Sequence, residues 1–205
     1  MLLLALLLAA GAFRSMLALI SIVAHVPADL GLGYGLGDGE AIALLLAVPN
    51  LGIVAGGVSA GWLSGRSGPG LPLLGGVITG AAATVTMLAG VSVLPLAVVC
   101  AGLLGMAAGA IGASGYNLAM DLAAPAQHGT VAGLVSVTLA LGSVIVSVTG
   151  GEVLKSTQIP VGHNSSEHGV YLYIALAAAC FALAAIPAAA VLRRGPTTVN
   201  SGRQL

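Results

Sequence analysis

Long apolar stretches separated by short polar ones dominate the hydropathy pattern of this 205-residue chain. Each apolar stretch reaches the roughly 20 residues that a helix needs to cross the hydrocarbon core of a bilayer. The six stretches cover residues 2–27, 40–63, 71–91, 94–120, 129–151 and 170–192. The pattern therefore predicts an all-α fold, a bundle of six transmembrane helices, with a polar tail at 193–205.

The segments between these stretches are typical of turns. Residues 64–70 read SGRSGPG, and proline opens or precedes two of the later stretches, at Pro95 and Pro125. The longest connection, 152–169, is polar. No segment predicts a soluble domain.

Composition supports a membrane location. Hydrophobic residues make up 58% of the chain, charged residues make up 6%, and the mean hydropathy is +1.09. Soluble domains carry about a quarter charged residues, so lipid must be the main solvent of this surface. The net charge is zero, which excludes a basic surface for nucleic acid. The two cysteines, Cys100 and Cys180, lie in apolar stretches and do not indicate a disulfide.

The basic residues between the stretches predict the orientation. If the spans alternate in direction, Arg66 and the arginines of the tail lie on one side of the membrane. On the other side the only basic residue is Lys155. Basic loops stay in the cytoplasm. The chain is therefore expected to be a multi-pass cell-membrane protein with both termini and the 193–205 tail in the cytoplasm.

One charged residue lies well inside a span. Arg14 falls near the middle of the first stretch, where a charge is costly, so it is a functional candidate by default. Ser21 and His25 follow seven and eleven residues later, close to the same helical face. These three residues predict a polar stripe along a substrate path. The alternatives for Arg14 are pairing with a neighbouring helix or snorkelling to the surface.

Two asparagines complete the candidate path. Asn50 follows Pro49 in the second stretch, and Asn117 lies in the fourth. For Asn50 the alternative is a bond to the backbone that the proline frees, and for Asn117 it is a hydrogen bond between helices. No phosphate-binding loop, carboxylate pair or metal-ligand cluster occurs, so no cofactor and no metal are expected.

Glycine pairs at four-residue spacing indicate close helix packing, because small residues let backbones approach in lipid. The pairs are Gly52 with Gly56, Gly57 with Gly61, Gly76 with Gly80, and Gly105 with Gly109. On the fifth stretch small residues share one face, which predicts tight contact with a neighbouring helix there: Gly133, Ser136, Ala140, Ser143, Ser147 and Gly150.

The loop between the second and third stretches is more specific. Residues 61–68 read GWLSGRSG, which resembles the loop signature G-x-L-x-D-R-x-G-R of the major facilitator superfamily (MFS) of transporters. The matching positions are Gly61, Leu63, Arg66 and Gly68. The acidic position is Gly65, an erosion that is typical of the second half of such transporters. The resemblance implies a tight helix–loop–helix hinge at Gly61 and Gly68.

A second resemblance covers the fifth stretch. Pro125, Gly129 and Gly133 are similar to the entry into helix eleven of that family. Four glycines fit the spacing of its antiporter signature, G-x8-G-x3-G-P-x2-G-G, although Val146 and Ser147 replace the central Gly-Pro: Gly133, Gly142, Gly150 and Gly151. These glycines are assigned to helix packing.

The resemblance implies the C-terminal six-helix half of an MFS transporter, with secondary active transport of a small molecule by efflux and no enzymatic activity. A second six-helix half would come from another chain or from a second copy of this one. The alternative is a truncated membrane fragment that does not transport. No feature of the sequence identifies the substrate or a coupling ion.

A remote alternative is an intramembrane serine protease. Residues 112–115 read GASG, which resembles the rhomboid motif G-x-S-G around Ser114. A serine nucleophile needs a base within hydrogen-bond reach. In the rhomboid family a histidine of the sixth span supplies it, and the sixth stretch here, 170–192, contains none. This reading is therefore set aside.

Overall fold

The computed structural model describes residues 1–25, 34, 36, 38–90, 92–156 and 167–193, and it confirms the all-α prediction. Six long helices occur in these ranges, with a short 3-10 turn at Pro125–Gln127 before the fifth. They are α1 (Leu2–His25), α2 (Asp38–Ser67), α3 (Gly70–Gly90), α4 (Leu94–Asp121), α5 (His128–Ser156) and α6 (Glu167–Arg193). The polar tail beyond Arg193 lies outside the described residues.

Five helices have the length and apolar character of a membrane span over the residues described. These spans are Leu2–Ala24, Gly70–Gly90, Leu94–Asp121, Pro125–Ser156 and His168–Arg193. α2 has 30 residues, with Asp38 and Glu40 in its first turn. A helix of that length extends about 45 Å, whereas the hydrocarbon core is about 30 Å thick. Helix ends therefore project beyond the lipid, and the limits of each span stay a prediction.

The helices form two layers. The front layer has the order α2, α4, α1, α5, since α4 contacts α2 and α1, and α1 contacts α5. The rear layer consists of α3, which packs on α4, and α6, which packs on α1, and these two rear helices contact each other. The contacts of α1–α3 thus mirror those of α4–α6. The face of the front layer that points away from α3 and α6 has no helix over it in the described chain, and we call it the open face.

Successive helices alternate in direction. The start of α3 meets the end of α6, where Gly70 lies against Leu192. Met1 lines a cavity together with Leu122 after α4 and Val191 near the end of α6. The start of α1, both short turns (α2–α3 and α4–α5) and the end of α6 therefore share one end of the bundle, which we call the Met1 end.

Glycines set a very close contact between α2 and α4. A methyl group added to Gly52 or Gly56 of α2 would meet a backbone carbonyl of α4. A methyl group added to Gly105 or Gly109 of α4 would meet a backbone carbonyl of α2. Gly52 lies against the carbonyl of Gly102, and Gly56 lies against that of Met106. Gly105 lies against the carbonyl of Pro49, and Gly109 lies against that of Ile53. The two glycine pairs interlock, as their spacing predicts.

The helix-packing prediction for α5 needs correction at two of its four glycines. Gly142 lies against the backbone of Leu7 in α1, and Gly150 lies against the ring of Tyr173 in α6. A methyl group at Gly133 or Gly151 would meet nothing within 4 Å. Each of these two lies nine residues from Gly142, which is two and a half helical turns and therefore the opposite side of α5.

Hydroxyl groups inside the helices are satisfied mostly by their own backbone. Thr84 and Thr138 each donate to the carbonyl four residues earlier at 2.8 Å, and Thr149 does so at 2.9 Å. Such bonds remove the cost of a bare hydroxyl in lipid. Side chains of this kind therefore do not mark a polar path through the bundle.

Candidate functional site

Arg14 lies on the open face, in a groove between α1, α4 and α5. It is exposed, although it stands near the middle of α1. The cavity measures about 290 Å³, and none of its lining residues belongs to α3 or α6. We call it the Arg14 groove; it is lined by Ala9, Ala10, Phe13, Arg14, Ala108, Ile111, Gly112, Leu139, Ala140 and Ser143.

The walls of the Arg14 groove are almost entirely apolar. Phe13, Ile111 and Leu139 supply large side chains, and the remaining apolar positions are alanine or glycine, which leave the space open. The polar side chains are those of Arg14 and Ser143. The Ser143 hydroxyl donates to the Leu139 carbonyl at 2.9 Å, so its oxygen is still able to accept a hydrogen bond.

The structure extends the open face of α1 beyond Arg14. Ala18 is exposed and Ser21 is half-buried, one and two turns further along the same side of the helix. His25 ends α1, and its side chain lies outside the described residues. The stripe predicted from Arg14 to Ser21 thus follows the open face toward the end opposite Met1.

The two asparagines lie away from the groove. Asn50 is exposed on α2, and α4 separates α2 from α1 in the front layer. Asn117 lines a different cavity of about 300 Å³ at the Met1 end, together with Ser64 and Asp121. The five predicted path residues therefore do not converge on one site.

The family-like loop combines a backbone turn with a stacked cation. Gly68 has a φ of 78°, a left-handed conformation that favours glycine, directly after α2 ends. The Arg66 guanidinium lies 3.8 Å from the centre of the Trp62 ring. Leu63 is half-buried. Gly61 is inside α2, where an added methyl group would meet nothing within 4 Å. No described neighbour therefore requires a glycine at position 61, and the hinge there stays a prediction.

One contact near the groove was not predicted. The hydroxyls of Tyr116 in α4 and Ser136 in α5 are 2.6 Å apart. Each lies one turn closer to the Met1 end than a groove residue of its own helix, Gly112 and Ala140 respectively. The sequence did contain the pattern, because Ser136, Ala140 and Ser143 share a face of α5. The sequence predicts a packing surface on that face, whereas Ala140 and Ser143 line the groove.

Ser114 is not a nucleophile. Its side chain is fully buried, and its hydroxyl has no hydrogen-bond partner among the described residues. A substrate cannot reach a buried hydroxyl, so the protease alternative is wrong. In the described part of the chain, no three side chains of the metal-binding types cluster as a metal site would require.

Tyr34, in the connection between α1 and α2, is a second partly buried phenol. It lines a small cavity with Ile20 and Leu94, and its N–H donates to the Val23 carbonyl at 3.3 Å. Burial, with the Cys100 thiol nearby, raises the pKa of Tyr34 to about 12. The phenol is therefore neutral at physiological pH, as an ordinary tyrosine is, and it stays neutral to a higher pH than usual.

Comparison with known families gives one match. The profile described as Major Facilitator Superfamily matches residues 2–204. Comparison with curated proteins and with solved structures gives no significant match. The family match covers all six helices and both motif regions discussed above.

Proposed function

This chain belongs to the Major Facilitator Superfamily, and on that premise we propose that it exports a small molecule along the Arg14 groove. Membership makes it a multi-pass membrane protein of secondary transport, not an enzyme. The groove supplies the position for a substrate. Transporters of this architecture bind substrate near the bilayer midplane, between two halves that rock against each other.

The observation that carries the proposal is an exposed arginine in the middle of a membrane helix. Charged side chains at that depth almost always face the interior of a bundle or a water-filled cavity. Arg14 stands on the open face, with α4 on one side and α5 on the other. That geometry supports a substrate path along the middle of the front layer.

We propose further that a second six-helix half covers the open face. Transporters of this architecture hold their substrate between two halves. Arg14 stands exposed on the open face of this half, in the groove between α1, α4 and α5. Either another chain or a second copy of this one supplies that half, with Arg14 enclosed between the two.

The proposed direction rests on the antiporter-like glycines of α5. Gly142 is at the closest contact between α1 and α5, where the Leu7 backbone touches it. The four glycines fit the spacing of an antiporter signature, and an antiporter moves its substrate in exchange for another solute. Export by exchange is therefore the direction that we propose.

The test compares Arg14 variants in everted membrane vesicles energised by a proton gradient. A panel of labelled anionic, cationic and neutral small molecules is offered, and accumulation is measured. The unmodified chain is expected to accumulate at least one of them. Arg14→Leu should insert at normal levels but transport about tenfold more slowly or worse, because a charged hydrogen-bonding group is lost. Arg14→Lys should retain part of the rate.

The matched control is Lys155→Gln, because Lys155 is a basic residue exposed at the end of α5, 4.0 Å from Glu152. It should transport normally. Normal transport by Arg14→Leu would remove the groove from the path. Failure of the unmodified chain to move any compound would support the alternative, a membrane fragment without transport activity.

A further inference from the structure

The charge of Arg14 has no counterpart in the described chain. Its guanidinium forms no ion pair and no hydrogen bond with any described residue. The groove that it lines contains no acidic side chain. An unpaired guanidinium near the centre of the bilayer has a high free-energy cost. Whatever fills the groove therefore has to solvate or balance this charge.

The acidic side chains that the structure describes lie away from Arg14. Asp121 lines the cavity at the Met1 end, beside Asn117. Glu152 lies near the far end of α5, 4.0 Å from Lys155. Both are exposed and both lie at helix ends, outside the Arg14 groove. Neither balances Arg14.

The shape and lining of the groove restrict the ligand further. Its volume of about 290 Å³ matches the smallest typical ligand pockets, which begin at about 300 Å³. Phe13, Ile111 and Leu139 offer an apolar surface next to the arginine. The Ser143 oxygen and the donors of Arg14 are the polar groups available. A ligand that matches this lining has one negative group and a compact apolar body.

We propose that the Arg14 groove binds a small amphipathic organic anion, with its carboxylate or equivalent acid on Arg14 and its apolar part on Phe13, Ile111 and Leu139. This inference rests on the proposed function and names the substrate class of the same site. Guanidinium and carboxylate form two parallel hydrogen bonds, a geometry that lysine does not offer. The small residues Ala140 and Gly112 give the apolar part its room.

The experiment uses three molecules of nearly the same shape: 1-naphthoate, 1-naphthamide and 1-naphthylmethylammonium. Thermal unfolding of the purified full chain in detergent is followed with each. The anion should raise the Tm saturably, whereas the neutral amide and the cation should not. Arg14→Leu should weaken the apparent affinity for naphthoate about tenfold or more, Arg14→Lys less, and Lys155→Gln not at all.

Equal Tm shifts with all three molecules, or an unchanged naphthoate effect in Arg14→Leu, would overturn the anion assignment. Transport in the energised vesicles separates this failure from a failure of the proposed function. Accumulation of the cation in place of naphthoate would leave export intact and reject the anion class. A third outcome would be that Arg14→Leu loses its folded assembly and that naphthoate has no effect on the unmodified chain. It would overturn the anion proposal and indicate that Arg14 pairs with an acidic residue of the covering half.

Discussion

At the scale of single residues, the contact of Gly105 with the backbone of α2 shows how this bundle is held together. Apolar side chains gain little from meeting each other in lipid, so association depends on how closely two backbones approach. Gly105 lies against the carbonyl of Pro49, and Gly109 lies against that of Ile53. Side chains at these positions would push α2 and α4 apart.

Two glycine-to-alanine changes test this residue by residue. In Gly105→Ala the new methyl group meets the Pro49 carbonyl, and overpacking of this kind costs about 1–3 kcal/mol. In Gly61→Ala the methyl group meets open space, and alanine favours the helix by about 0.5–1 kcal/mol. Gly105→Ala should therefore lower the Tm in detergent and the yield of folded protein, while Gly61→Ala should leave both unchanged or higher. A lower Tm for Gly61→Ala would support a hinge at that position.

At the scale of helices, the Tyr116–Ser136 hydrogen bond links α4 to α5 directly on the Met1 side of the Arg14 groove. Interhelical hydrogen bonds in membrane proteins contribute about 0.6 kcal/mol on average and at most about 1.7 kcal/mol. A double-mutant cycle with Tyr116→Phe and Ser136→Ala should give a coupling energy in that range when unfolding is followed in detergent. Strictly additive effects of the two changes would show that the hydroxyls do not interact.

The helices themselves were predictable from sequence, but the rotation of α5 about its own axis, which decides the face that is buried, was not. Six apolar stretches of spanning length leave the backbone no alternative to helices in lipid. Small residues on one face of α5, however, suit both a tight contact and the wall of an open groove. Gly142 and Val146 form the buried side of α5, and Ala140 and Ser143 line the groove. Which face is buried depends on α1 and α6, whose positions a single-helix pattern does not contain.

The Arg14 groove, too, could be predicted from the sequence only in part. Arg14 is predictable because a charge in lipid is costly, and this argument needs no knowledge of its neighbours. The other groove residues carry no such mark, because Ala108, Ile111 and Leu139 resemble any apolar residue of a span. Asn117 was selected by its polarity alone, and the structure places it in a different cavity.

At the scale of the whole molecule, the alternation of the helices allows the orientation to be tested in the described loops. Ser67 and Ala126 are exposed at the Met1 end, and Ser92 is exposed at the opposite end. If the Met1 end is cytoplasmic, a membrane-impermeant maleimide should label Ser92→Cys in intact cells. Ser67→Cys and Ala126→Cys should react only after permeabilisation. The reverse labelling pattern would invert the orientation. The native Cys100 and Cys180 are buried and should give little background.

The stacking of Arg66 on Trp62 also provides this chain with an optical probe of its own. The sequence contains a single tryptophan, so all indole emission comes from one place, the end of α2 beside the turn at Gly68. A guanidinium 3.8 Å from the ring centre influences both the brightness and the colour of that emission. A rearrangement of the last turn of α2 that separated the pair would be visible in the fluorescence of the unlabelled protein, in real time and without any engineered dye.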